Sequence, residues 1–317
     1  MRHFLIIKPR LDIPFKKPSD IPISNPRLSY VRTFWKKFVD GLQAYHINKG
    51  DQVKILELPA WEINDLKFNP DVITYVPHRI PEQLGSPKNV LYYHQTAFPE
   101  NFTVDLNGWG PRSTFFPLNL TKDDNEVEQV FQDKKKKFLS GQVKFPENMP
   151  FELGKYDAVF MAQIPHDESI KFFSKISVKD AFLRTIFYCK NNGLSLFLKL
   201  HPANPHSNIE LIEIAKAHNI PVSTSKIQDC LANIDKVFLV NSGSAFQAIL
   251  MEKEVIYFGE TEYKQVAKSF WDLINGDKLY NKENYKKFVW SYIQNTVDVE
   301  DYRTYERIEK CLDMMNV

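Results

Sequence analysis

Apolar positions along this chain fall into two patterns. Short, mainly apolar runs at residues 4–7, 53–58, 72–76 and 90–93, and again at 158–162, 194–200, 236–239 and 255–258, are bounded by polar or turn-forming residues and predict buried strands. Longer stretches carry apolar residues at helical spacing: Val31, Phe34, Phe38 and Leu42 mark a helix over 28–46, and further helices are predicted over 178–190, 208–218 and 244–251. Strands alternating with helices imply βαβ units and parallel sheets. The plan occurs twice, which predicts two Rossmann-like α/β domains.

At 317 residues the chain exceeds the size at which one core keeps growing, which agrees with two domains. The apolar pattern lapses over 120–153, a polar, proline-bearing stretch containing Lys134 to Lys137, and the boundary is placed there, giving domains 1–152 and 153–317. Residues 284–317 read as helices after the last strand, expected to pack back on the first domain. A net charge of +2 argues against a nucleic-acid-binding specialist. Cys189, Cys230 and Cys311 are odd in number and lack metal-ligand spacing, which fits buried thiols in a reducing cytosol. The first apolar run stops at Lys8, short of a secretory leader core of about seven to fifteen residues. No stretch approaches the roughly twenty apolar residues of a membrane span. A soluble cytoplasmic protein is expected, in contact at most with a membrane surface.

Polar candidates cluster at strand ends, where open α/β sheets bind ligands. The run 194–200 leads into Lys199-Leu200-His201-Pro202, and Pro202 stops the strand so that the imidazole is presented at its end. The next strand leads into Asn241-Ser242-Gly243-Ser244 at a helix start, which offers free N–H groups, hydroxyls and the positive end of a helix dipole. Together these ends point to a nucleotide phosphate site; read singly, Ser244 is an N-cap and His201 a turn histidine. Asp167 follows the strand 158–162 beside Gln163 and His166, as a nucleophile, a base, or the N-cap of a helix starting at Glu168. No Asp-X-Asp motif occurs, so the phosphate clamp is expected to work without a metal.

The motifs Gln163-Ile-Pro-His-Asp167 (a QxxxD), His201-Pro202, Asn241-Ser-Gly-Ser-Ala-Phe-Gln-Ala-Ile-Leu250 and Val255-Ile-Tyr-Phe-Gly259 resemble, in kind and order, those of the capsule polysaccharide synthesis glycosyltransferases, the bacterial β-Kdo transferases. The resemblance covers mainly residues 155–265, with an echo at 104–113, where Asp105, Gly108, Trp109 and Arg112 form an acidic and glycine-bearing loop. One departure is Gln247, which stands where the family's helix carries the Glu of the ribose contact.

The resemblance implies a GT-B architecture, two Rossmann-like domains facing a cleft, and a metal-independent transfer of Kdo or a related acidic sugar. The donor would be a CMP-sugar and the acceptor a cell-surface glycan or glycolipid at the inner face of the membrane. No cofactor is implied beyond the donor. Lys199, His201, Pro202, Ser242, Gly243, Ser244 and Gln247 would bind the nucleotide and its phosphate, and Asp167 would form a glycosyl-enzyme intermediate with net retention. Asp105 would act as acid or base, with a sugar stacked on Trp109, an anion paired with Arg112, and Gln163 at the substrate. An ordinary turn aspartate is the other reading of Asp105. His78 and His94 are read as acceptor contacts or plain loop residues, and the lysine run as a lipid-facing patch or a solvated face. Two alternatives keep the same fold: a sialyltransferase or another nucleotide-sugar transferase, and a catalytically silent binding protein.

Overall fold

A computed structural model describes residues 1–10, 26–59, 62–141, 154–202, 205–276 and 282–315. The expected domain boundary between 152 and 153 lies outside these residues. The chain divides into two compact units, Met1–Phe116 together with Tyr292–Val317, and Pro117–Ser291.

The first unit opens with β1 (His3–Pro9), α1 (Pro26–Asn48), β2 (Gln52–Leu58), β3 (Ile73–Pro77), β4 (Val90–Gln95) and β5 (Asn101–Asp105). The second holds α2 (Asn125–Leu139), β6 (Ala158–Met161), α3 (Glu168–Phe173), α4 (Val178–Asn191), β7 (Leu196–Lys199), α5 (Ile209–Ala217), β8 (Val222–Ser223), α6 (Ile227–Ala232), β9 (Lys236–Leu239), α7 (Ser244–Leu250), β10 (Glu254–Tyr257), β11 (Lys268–Ser269) and α8 (Phe270–Asn275). Helix α9 (Asn284–Gln294) leads back to the first unit, which β12 (Val297–Asp298) and α10 (Glu309–Met314) complete.

In the first unit the strand order is β2-β1-β3-β4-β5-β12. The first four strands are mutually parallel, whereas β5 runs antiparallel to β4 and β12 antiparallel to β5. The spacing of Phe34, Phe38, Leu42 and Tyr45 puts one apolar stripe of α1 on this sheet, and Phe38 stacks on Phe102 of β5 with ring centroids 4.4 Å apart. Strand β5 is a correction to the reading of 104–113 as loop, because Asp105 is the last residue of a strand.

The second unit has the order β8-β7-β6-β9-β10-β11, every pair parallel. Its inner strands read as unbroken apolar runs because helices cover both faces. Phe160, Phe182, Ile186, Leu198, Phe238 and Ile256 form part of one buried cluster. The chain leaves β6 in one direction through β7 and β8, then returns to the other side of β6 for β9. That reversal opens a crevice at the carboxyl ends of β6 and β9, the position where such sheets take ligands.

The polar stretch 120–153, in which the domain boundary was placed, holds helix α2. Asp124 caps α2 by accepting from the N–H groups of Glu126 and Val127 at 3.0 and 3.2 Å, and Val127, Phe131 and Phe138 are buried against the second unit. The lysine run is therefore the flank of a packed helix. Lys134 is buried, Lys135 lies 3.6 Å from Glu252 and Lys137 lies 3.5 Å from Asp133, so much of its charge is answered within the fold. Among the described residues no helix is long and apolar enough to cross a membrane.

Glu309 ties α10 to the start of the first unit, accepting from Tyr45 Oη at 3.0 Å, Lys49 Nζ at 2.8 Å and Arg2 at 3.4 Å. Beneath this network His46 is fully buried, stacked on Phe4, with Nε2 2.9 Å from Tyr75 Oη and Nδ1 3.3 Å from Asp51. Burial lowers its pKa from 6.5 to about 4 against the opposite pull of Asp51, so the folded imidazole is neutral at pH 7. The unfolded chain takes up the proton near 6.5, so this group's stability is fully present above that pH and is lost as pH falls toward 4. Urea titrations should show unfolding free energy dropping by about 3 kcal/mol from this group between pH 7 and pH 4, at ~1.4 kcal/mol per pK unit. His46→Gln should remove that share of the slope, and an unchanged slope would assign the effect to another group.

Candidate functional site

Two side chains, Gln163 and Asn241, organise the crevice of the second unit. Gln163, two residues past β6 and 5% exposed, accepts through Oε1 from the N–H groups of Val240 and Asn241 at 3.0 and 2.9 Å, just past β9. Its Nε2 donates to Asn241 Oδ1 at 2.9 Å. Asn241 in turn donates from Nδ2 to the Ser169 carbonyl at 2.8 Å, in the first turn of α3. The carboxamide thus joins the loop after β6 to the loop after β9, and Asn241 joins both to α3. The structure gives Gln163, expected at the substrate, a bracing role.

Asp167 sits at the N-cap of α3, half-buried, and its Oδ1 accepts from Ser169 N at 2.9 Å and Ser169 Oγ at 2.7 Å. The N-cap reading is therefore what the geometry displays. Among the described residues no donor reaches Oδ2. One oxygen is held and the other is available, an arrangement compatible with capping and with nucleophilic attack alike.

Beside it lies the serine turn. Ser242 Oγ accepts from Ser244 N at 3.2 Å and from Ser244 Oγ at 2.9 Å, while the Ser242 carbonyl accepts from Tyr263 Oη at 3.2 Å. Among the described residues the N–H groups of Ser242 and Gly243 and the Ser242 hydroxyl proton meet no acceptor, and Gly243 is exposed. Three donors on one turn at a helix start suit an anion. Gln247 lies one turn on, its amide beside the carbonyls of Gly243 at 2.9 Å and Ser244 at 3.3 Å, so the NH₂ end faces them.

Lys199 ends β7 and is 3% exposed, with Nζ donating to the Leu200 carbonyl at 3.0 Å; His201 and Pro202 follow directly, half-buried. Gly259, just past β10, has a packing reason to be glycine: a Cβ there would stand 2.8 Å from the Phe173 carbonyl oxygen and 3.3 Å from Asn241 Nδ2. Among the described residues no group of three His, Cys, Asp or Glu side chains is placed to hold a metal ion.

The first-unit candidates form a separate group. Asp105 is 1% exposed, with Oδ1 accepting from Asn107 N at 2.8 Å and Oδ2 from Thr114 N at 2.7 Å and Thr114 Oγ1 at 2.8 Å. Burial pushes its carboxyl above the ordinary carboxylate value, and these donors pull it back. Both oxygens brace the loop, so acid–base work by Asp105 would require Thr114 to let go. Trp109 is buried, stacked on His94 at 4.5 Å and edge-on to His78 at 4.7 Å. The ring face expected to stack on a sugar packs against an imidazole. Arg112 pairs with Glu82 at the surface. His78 adopts φ +49°, a left-handed backbone unusual outside glycine.

Two Rossmann-type units, the second with the dinucleotide-fold strand order and its ligand-binding reversal, define the GT-B fold class. No protein-family model matches the chain, and no curated protein sequence does. Among solved structures it is similar to KpsC of Thermosulfurimonas dismutans, a β-Kdo 2,7 transferase, with TM-score 0.54 and 16% identity over 98% of this chain and 99% of that one. The β-Kdo 2,4 transferase of KpsC from the same organism gives 0.47 and 12% over 81% and 88%. The S. aureus MnaA–UDP structure gives 0.35 and 8% over 99% and 96%.

Gln163→Leu tests the brace. It strips the acceptor from two backbone N–H groups and should lower stability by about 2–6 kcal/mol, at roughly 1–3 kcal/mol for each buried donor left unsatisfied. A melting temperature equal to wild type would show that the two loops are held by something else.

Proposed function

We propose that this chain is a glycosyltransferase that moves Kdo or a related acidic sugar from a CMP-sugar donor to a surface glycan or glycolipid acceptor. The observation that carries the reading is the cross-linked crevice: Asp167 after β6 and the donor-rich serine turn after β9 are fixed to one another through Gln163, Asn241 and Ser169. The fold shared with a β-Kdo transferase and the order of the motifs support it.

On this reading the CMP phosphate rests on the Ser242–Ser244 turn, with His201 and Lys199 at the end of β7 taking up the charge that develops as the nucleotide leaves. Asp167 Oδ2 attacks the anomeric carbon, forming a carbon–oxygen bond as the bond to the CMP phosphate oxygen breaks. An acceptor hydroxyl then displaces the carboxylate from the anomeric carbon, its proton passing to solvent as the new carbon–oxygen bond forms. Two inversions give net retention. The N-cap bonds to Oδ1 orient the carboxylate without occupying its second oxygen. Gln247 favours a second reading, because its NH₂ turned onto backbone carbonyls is a different ribose partner from a carboxylate; another nucleotide sugar, sialyl donors included, or a silent binding site then follows. Donor-hydrolysis assays with several nucleotide sugars separate these, and a thermal-shift screen of CMP, CDP, UDP and GDP reads the nucleotide, since a ligand at a hundred times its dissociation constant adds about 2.7 kcal/mol.

His201→Ala should weaken CMP binding by about 1.5–3 kcal/mol in calorimetry, the scale of a hydrogen bond to a charged group. Unchanged affinity in a folded variant would remove His201 from the phosphate.

Asp167→Asn should fold normally, because Asn caps a helix about as well as Asp. It should still bind CMP but lose turnover by several orders of magnitude, since an amide is a poor nucleophile. Intact-mass spectrometry of wild type with donor and no acceptor should show a one-sugar adduct that the variant lacks. Near-normal turnover in the variant would reduce Asp167 to a cap.

A further inference from the structure

A cavity of about 510 Å³ lies within the second unit, between the α3–α4 connection and the first turn of α5. Its volume falls in the range of small-molecule pockets, roughly 300–1,000 Å³. Lys199, His201, Ser242 and Ser244 do not line it, so it is distinct from the phosphate turn.

Its chemistry has three parts. Lys171, Lys175 and Lys179 stand around it, and only Lys179 has a carboxylate, Glu210 at 2.5 Å; Lys171 and Lys175 make no ion pair among the described residues. Asn208 in the wall is 1% exposed, and among the described residues its Oδ1 has no hydrogen-bond donor, while its Nδ2 reaches Ser207 Oγ only at 3.4 Å. A buried acceptor without a donor costs about 1–3 kcal/mol, which a ligand hydroxyl would recover. The rest of the lining includes Pro165, Ile176 and Leu211, aliphatic surface with no aromatic ring.

Each part narrows the ligand. The uncompensated lysines ask for an anion, and the Asn208 oxygen asks for a hydroxyl donor. Aliphatic walls suit the C–H face of a sugar ring, whereas a nucleobase gains most from an aromatic platform, which is missing. Inorganic phosphate satisfies only the first demand. We propose that this cavity is a carbohydrate subsite for a carboxylate-bearing sugar, a sugar acid held by Lys171 and Lys175 through its carboxylate and by Asn208 through a hydroxyl.

The test uses the whole chain and D-glucuronate as probe, with D-glucose and inorganic phosphate as comparators, titrated by NMR or calorimetry. Glucuronate should bind at least tenfold more tightly than either comparator. Lys171→Glu with Lys175→Glu, both at exposed positions, should weaken it at least tenfold while leaving CMP affinity unchanged. Asn208→Leu should also weaken glucuronate, yet keep or raise the melting temperature, because it removes a buried acceptor that has no donor. A glucuronate-terminated trisaccharide, titrated separately, supports the proposal whether it binds equally or more tightly, and tighter binding assigns the site to the end of a chain. The proposal is overturned if glucuronate fails to bind at millimolar concentration, if phosphate binds as well, or if the lysine variant binds glucuronate like wild type. Equal loss of CMP in that variant would assign the cavity to the nucleotide and overturn it too. CMP affinity and sugar-acid affinity are read independently, so failure of the transfer reading and failure of this one are distinguishable.

Discussion

The buried carboxamide of Gln163 fixes the spacing on which the second unit's site depends. A parallel sheet brings β6 and β9 side by side, but the ladder ends before the loops begin, and the N–H groups of Val240 and Asn241 would be left without acceptors. Gln163 supplies one oxygen to both. Asn241, oriented by the other end of the same amide, then fixes the first turn of α3, where Ser169 holds one oxygen of Asp167. A carboxylate and the serine turn, on different loops, are thereby set at one distance. Gly259 belongs to the same arrangement, since its missing side chain lets the end of β10 close against α3.

Much of the second unit was legible in the sequence for a physical reason. Strands covered on both faces keep charged residues to their ends, so the interiors of β6, β7, β9 and β10 read as apolar, and the polar residues that follow them mark the ligand side of the sheet. The two-residue strands β8, β11 and β12 carry no periodic signal and were invisible. Helix α2 was hidden by its lysines. Its buried positions, Val127, Phe131, Lys134 and Phe138, keep helical spacing, but a lysine on the inner stripe and charges on every other face looked like a linker. The acidic cap Asp124 was the available signal.

Side-chain roles were less legible than side-chain positions. Gln163 was placed just past its strand and Asp105 in a loop, where the structure makes it the last residue of β5, yet a polar residue at such a position looks the same whether it faces a ligand or closes a loop. The number of nearby backbone N–H groups decides, and that depends on the neighbouring strand. Asp105 spends both oxygens on Asn107 and Thr114, and Trp109 spends its surface on His94. Asp167 was readable both ways, and the Asp-Glu-Ser169 sequence after it already carried the capping pattern that the structure displays. At the serine turn, Ser242 and Gly243 keep donors that meet no acceptor among the described residues.

On the proposed function the ends of β6, β7 and β9 form one nucleotide-sugar site, and a crystal structure of the chain grown with CMP is the direct test. Phosphate density is expected within hydrogen-bond distance of the Ser242 and Gly243 N–H groups and of His201, with Asp167 Oδ2 on the side from which the sugar would project. CMP bound away from the β9 turn, or a crevice still empty at saturating CMP, would contradict it.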